Sequence, residues 1–189
     1  MILAQFQSVG RDLFTRGLVS ASSGNLSIRL GERIIITRRG SKLGCLGEHD
    51  LIETGLSKND RHTPLASVEL AVHRAIYQAT PALAIVHTHP PHAVALSLTE
   101  TEIVPNDTEG LTVMPRVPVV GWGMKVTPGG LADIIGQALK KSRIVMVHGH
   151  GSFAIGQLLE EAHSCTTILE ESCRVICLLK SLKPTPAKK

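Results

Sequence analysis

The chain has 189 residues, a formal net charge of +4, 43% hydrophobic and 19% charged residues, which suits one domain with a substantial core and excludes a disordered chain. No apolar run is long enough to span a membrane and "MILAQFQSVGRDLF" lacks a basic leader with a long apolar segment behind it, so a soluble cytoplasmic protein is expected. The basic residues are scattered, apart from a tail at 183–189 expected to be frayed, and one Trp, one Tyr and three Phe give bases nothing to stack on, which argues against nucleic acid as a partner.

Residues 1–18 place Ile2, Phe6, Val9, Leu13 and Phe14 at a helical period that ends near Gly17. "NLSIRL" alternates as a strand does, and "RIIITR" is a β-branched run expected to pair with it across a turn at Gly31–Glu32. "SVELAVHRAIYQAT" has a helical period, with Ser67 as its expected cap and Pro81 close behind its end. "ALAIVHTH" has the apolar character of a buried strand, and "HAVALSL" is expected to return as a helix after Pro90 and Pro91. Thr127 and Pro128 mark another helix start. "RIVMVHGHG" is a second buried strand, with "SFAIG" expected to run on from it. The last helix should bury a stripe of Leu158, Ala162, Cys165, Leu169, Ser172 and Ile176. Helices interleaved with strands around one sheet predict a single α/β domain, 1–189, with helices on both faces.

The four cysteines, Cys45, Cys165, Cys173 and Cys177, contain no C-x-x-C pair. Zinc ribbon and thioredoxin-like motifs are therefore absent, and the last three are expected to pack as small hydrophobic residues.

The candidate chemistry lies in the histidines. Residues i and i+2 of an extended chain point the same way, so His87 and His89 can grip one ion. Taken alone, such a pair is weak evidence, since packed or surface histidines explain it more often. A second cluster, His148 and His150, ends another buried strand. Glu69 stands near the start of the predicted helix with His73 one turn on; an acid there is also an ordinary partner for the helix dipole. Gly24 and Asn25, after small hydroxyl residues, suit a backbone nest for an anion, or a plain turn before a strand.

In order and spacing, "SSGNLS", "ITRRGSKLG", "PLASVELAVHRAIY", "AIVHTHPPHAVALS" and "VMVHGHGSFAIGQLLEEAH" resemble the class II aldolase and adducin-head family over roughly residues 5 to 178. The resemblance implies a mixed, largely antiparallel central sheet with helices on both faces, assembled as a homotetramer with sites between subunits. It implies His87, His89 and His150 as zinc ligands, and Glu69 as catalytic base and additional ligand in the empty site. Gly24, Asn25, Gly40 and Ser67 fall on the family's phosphate-binding positions. His148 is left to packing or support, His73 and His92 to local hydrogen bonding. The implied activity is reversible cleavage of a ketose phosphate to dihydroxyacetone phosphate and an aldehyde through an enediolate. A zinc-dependent sugar-phosphate dehydratase is the alternative within the family, and a non-catalytic adducin-head-like domain the alternative outside enzymology.

The chain also departs from the family. Arg39 replaces a usual serine or threonine and Val68 a frequent second serine, so two phosphate-binding hydroxyls are missing. The guanidinium of Arg39 can grip an anion in their place. If the loop is extended, Arg38 and Arg39 alternate sides and one of them faces the pocket. The tyrosine that donates a proton in the aldolase branch has no counterpart, its register falling near Thr108. Glu109 instead resembles an acidic acid/base residue of the dehydratase branch, or is a simple loop acid.

Overall fold

In the computed structural model, residues 2–122 and 128–182 are described. Helix α1 (Ile2–Thr15) leads into strands β1 (Asn25–Leu30), β2 (Arg33–Thr37) and β3 (Leu51–Gly55). Helix α2 (Leu70–Ala79), strand β4 (Ala84–Thr88) and helix α3 (Pro91–Ser97) follow, then β5 (Glu102–Ile103), α4 (Thr108–Val113) and β6 (Val117–Val120). The chain closes with α5 (Pro128–Ala138), β7 (Ile144–Val147), β8 (Gly151–Gly156) and α6 (Leu159–Leu182). The strands form one sheet in the order β3-β2-β1-β4-β8-β7-β6-β5, antiparallel throughout except for the parallel pair β6–β7. The expected mixed, largely antiparallel α/β sheet is therefore the observed one.

Strand β4 is buried along its whole length because helices cover both faces of the sheet. Its alternate residues enter different cores. Ala84 and Val86 join Phe6, Leu13, Leu26, Ala154, Cys165, Leu169 and Cys173 beneath α1, α3 and α6. Ile85 joins Ile76, Tyr77, Ile135, Leu139 and Phe153 beneath α2 and α5. His87 therefore points to the α2/α5 side, stacked on Phe153 with ring centroids 4.1 Å apart.

Several local expectations need correction. "SFAIG" does not continue the preceding strand: β7 and β8 are separate arms of an antiparallel hairpin, turned at His148–His150 with Gly149 at φ 63°. The N-cap of α2 is Glu69, and Ser67 sits two residues before it, its hydroxyl accepting from the Glu69 amide at 3.3 Å. Leu158 is exposed ahead of α6, whereas Ala162, Cys165, Leu169, Ser172 and Ile176 are buried as expected. Cys165 and Cys173 are core residues whose thiols burial pushes up, while Cys45 is exposed. Thr127 and the tail lie outside the described residues. Among the described residues no helix is long and apolar enough to cross a membrane.

Candidate active site

Sheet register gathers the candidate residues at one end of the sheet. Asn25 opens β1 directly opposite His87 near the close of β4, and Phe153 of β8 flanks His87 on its other side. The hairpin turn before β8 delivers His150 to the same end. A bridge between Arg38 and Ala66, together with the bond from the Ser67 amide to the Thr37 carbonyl at 3.1 Å, holds the start of α2 against the end of β2. Glu69 is thereby brought beside the histidines.

Two glycines permit this approach. Gly24 has φ 78°, and a Cβ there would press on Val19 and the His87 carbonyl. Gly151 is close-packed for another reason: a side chain would collide with the Thr88 carbonyl and the rings of His87 and His89. The glycine after His150 is thus a steric requirement of the histidine cluster.

His87, His89 and His150 each offer a ring nitrogen, all within 4.8 Å of one another. The Nδ1 of His87 lies 2.9 Å from the Ser152 carbonyl oxygen. A carbonyl can only accept, so Nδ1 carries the hydrogen, and burial holds this ring neutral by pushing its pKa down to about 3. Nε2 is then a bare lone pair, 3.0 Å from His89 Nε2 and 3.0 Å from Glu69 Oε2. His89 can donate to it, but the carboxylate facing it cannot. A lone pair aimed at a carboxylate within hydrogen-bond distance is a repulsive pairing that a cation between them converts into two ligand contacts. Three imidazoles and a carboxylate are a donor set suited to a divalent ion such as zinc. The residues present therefore fit a metal.

Glu69 is held by two neighbours and faced by a third: Asn25 Nδ2 donates to Oε2 at 2.6 Å, His150 Nε2 lies 3.2 Å from Oε1, and His87 approaches as above. Burial raises its pKa, but the His150 hydrogen bond, the attraction of a His87 charge and the Asn25 hydrogen bond outweigh it, lowering the pKa to about 2. His87 carries that charge only in acid, so near neutrality the hydrogen bonds do the holding. The carboxylate is ionised either way.

These groups open into a cleft of about 280 Å³ bordered by Gly24, Asn25, Arg38, Arg39, Gly40, Ser67, Val68, Glu69, His89 and His150, with Ser22, Ser23 and Ser41. Both arginines border it, not one. The loop does not stay extended, because Arg38 is pinned in its bridge to Ala66 and Gly40 turns the chain at φ 76°. Among the described residues neither arginine forms an ion pair with a carboxylate, so the border of the cleft carries two positive charges. Sequence reasoning passed over Ser22, Ser23 and Ser41 as cleft residues. The "SS" before Gly24 and the serine after Gly40 were the available signals.

Glu109 is not brought to this cleft. It is exposed in the first turn of α4, a helix capped by Asp107 and packed against α6. His148 packs on Trp122, with ring centroids 4.2 Å apart. His92 bonds Glu170 at 2.7 Å, and that carboxylate also accepts from the His92 and Ala93 amides at the start of α3. His73 is fully buried behind Asn25.

Comparison with known proteins supplies the family. Residues 4–177 match the family model described as Class II Aldolase and Adducin N-terminal domain. An L-fuculose phosphate aldolase of Methanococcus maripaludis is 32% identical over 97% of this chain and 100% of its own length. The crystal structure of an L-fuculose-1-phosphate aldolase from Thermus thermophilus superposes with a TM-score of 0.89 at 36% identity, over 97% of this chain and 98% of that one. A probable bifunctional methylthioribose-1-phosphate isomerase/methylthioribulose-1-phosphate dehydratase of Nocardia farcinica is 27% identical over 92% of this chain and 35% of its own length. Strand order, histidine cluster and family match all lead to one conclusion: this chain belongs to the class II aldolase and adducin N-terminal domain family.

Proposed function

We propose that the protein is a zinc-dependent aldolase that reversibly cleaves a ketose phosphate to dihydroxyacetone phosphate and an aldehyde. The observation that carries this reading is the His87 Nε2 lone pair, 3.0 Å from both His89 and an ionised Glu69. It joins a metal-ligand set and a candidate base in one cleft. When bound, the ion supplies the charge that stabilises an enediolate. Glu69 takes the α-proton of dihydroxyacetone phosphate in synthesis and returns it to the enediolate in cleavage. Arg38 and Arg39, with Ser67 and the backbone of Gly24 and Gly40, hold the substrate phosphate.

Cleavage also needs a group to accept the hydroxyl proton of the departing aldehyde. Tyr77, the chain's single tyrosine, is buried and hydrogen-bonded to Ser27 at 2.7 Å, so it does not serve. We assign the task to Glu109 acting on a neighbour's cleft in a homotetramer. Its exposure outside its own cleft supports this, as do the exposed apolar side chains Val175, Leu178, Leu179 and Leu182 along the end of α6, which suit an interface. We take the protein to work in the cytoplasm.

Dehydration of a related ketose phosphate is the second reading, favoured by the similarity to the dehydratase relative and by the missing free tyrosine. It uses the same enediolate but expels a hydroxyl. A non-catalytic domain would have no use for the histidine and carboxylate arrangement.

The deciding experiment is a screen of zinc-loaded protein against ketose phosphates, with dihydroxyacetone phosphate release as readout. Aldolase action gives release with an aldehyde. Loss of water with the carbon skeleton intact gives the dehydratase reading, and failure to bind any divalent metal removes both.

A further inference from the structure

Behind Glu69 runs a line of polar side chains inside the α2/α5 core. Asn25 Nδ2 bonds Glu69 Oε2 at 2.6 Å, and Asn25 Oδ1 lies 2.6 Å from His73 Nε2. His73 Nδ1 lies 2.7 Å from Ser27 Oγ, which lies 2.7 Å from the Tyr77 hydroxyl. Ser27, His73 and Tyr77 are all within 1% of complete burial, and none of them borders the cleft.

Chemistry fixes the direction of every bond in this line. An ionised carboxylate only accepts, so the amide nitrogen of Asn25 faces Glu69 and its oxygen faces His73. His73 must then carry its hydrogen on Nε2. A second proton on Nδ1 would bury an imidazolium with no carboxylate in contact, and burial in fact lowers this group's pKa to about 4 despite the opposing pull of the Glu69 charge. Nδ1 is therefore an acceptor, and Ser27 donates its one hydrogen to it. Tyr77 in turn donates to Ser27, consistent with burial raising its pKa.

We propose that Tyr77, Ser27 and His73 form a one-way hydrogen-bond chain that locks the amide of Asn25 with its nitrogen toward Glu69, making His73 a positioning residue for the base. This rests on Glu69 being the base. Without the chain, the Asn25 amide can turn its oxygen to the carboxylate, which would repel it and swing the base out of line. A buried polar line of this kind also has a structural value, since each member satisfies the next. Its proposed catalytic role must therefore appear in a readout that packing alone would not move.

The first measurement uses the intact zinc-loaded protein and the ring nitrogen resonances of His73. The chain requires the tautomer protonated on Nε2 alone; an Nδ1-protonated tautomer or an imidazolium at neutral pH overturns it, whatever the reaction turns out to be. The second compares His73→Phe with His73→Gln, whose side-chain amide can again donate to Asn25. His73→Phe should lower kcat about tenfold to a hundredfold with KM within twofold and zinc content unchanged, and His73→Gln should recover most of that loss. Equal kcat in the two variants, or wild-type kcat in His73→Phe, rejects the positioning role. If His73→Phe does not fold, Ser27→Ala takes its place, with an expected loss of about threefold to tenfold in kcat alone, and unchanged kcat rejects the proposal. If Glu69→Gln keeps full turnover while the tautomer is as stated, the base assignment has failed and the polarity of the chain has not.

Discussion

The two faces of the sheet around β4 are built from the same strands but do different work. On the α1/α3/α6 side, Leu26, Val86, Ala154, Cys165, Leu169 and Cys173 make an apolar core that carries no candidate chemistry. On the α2/α5 side, Asn25, Ser27, His73 and His87 bring polar groups into the interior, each with a hydrogen-bond partner. Strand alternation produces this division, because Asn25 and Ser27 lie on one side of β1 with Leu26 on the other. The lesson is that stability and chemistry are separable here: an apolar face anchors the strands while the opposite face tolerates the cost of buried polar groups.

That separation can be broken from either side. The largest effect is expected from His89→Ala, which removes one of the three proposed imidazole ligands. The variant should lose most of its metal and fall to background turnover while keeping the wild-type circular dichroism spectrum; metal analysis and a thermal melt check both. On the other face, Leu169→Ala should lower the unfolding free energy by about 2–5 kcal/mol. Its kcat, measured where the variant is still folded, should match wild type. A fall in kcat without loss of stability would mean the faces are coupled.

Within the cleft, Arg39→Ser puts a hydroxyl in place of a charge. It should raise KM for a phosphorylated substrate about tenfold to a hundredfold, a charge-assisted hydrogen bond being worth about 1.5–3 kcal/mol. An unchanged KM would leave the anion to Arg38 and the backbone.

A further expected effect is a pH dependence of the metal-free protein. Burial holds His73 at about 4 and His87 at about 3 in the folded chain, against 6.5 for an ordinary histidine. The unfolded chain thus binds these protons first. Their contribution to stability is complete above about pH 6.5 and is lost as pH falls toward 4, with a slope of about 1.4 kcal/mol per pH unit per proton. Denaturant titrations between pH 7 and 4.5 check this, and His73→Gln should make the slope shallower without abolishing it, since His87 and His89 are lowered too.

Much of this was legible in the sequence wherever a local pattern and the tertiary contacts agree. The alternation of "NLSIRL" marks β1 at Asn25–Leu30, and the stripe through Ala162, Cys165, Leu169 and Ile176 marks the buried side of α6. The histidines of "HTH" and "HGHG" stand out as clusters at the ends of two apolar runs, although one of them, His148, packs on Trp122 instead. The rest depended on contacts between distant residues. Strand β3, with only five residues, owes its place to pairing with β2, and β5 has just two. Composition alone could not split "RIVMVHGHGSFAIG" into a hairpin, since the apolar runs on either side of Gly149 read alike. Nor could spacing show that Asn25 links Glu69 to His73, a connection that spans 44 and 48 positions. Glu109 shows the opposite limit, an acid in a recognisable motif that the fold leaves outside its own chain's cleft.

The central claim is that Glu69 does the chemistry while the histidines hold the metal, and Glu69→Gln tests it most directly. Glutamine keeps the size of the side chain and leaves the three imidazoles in place, so the variant should still load with zinc and keep a thermal melt close to wild type. Turnover should fall by about two orders of magnitude or more, the usual weight of a positioned general base. Wild-type turnover in a fully zinc-loaded Glu69→Gln protein would contradict the account.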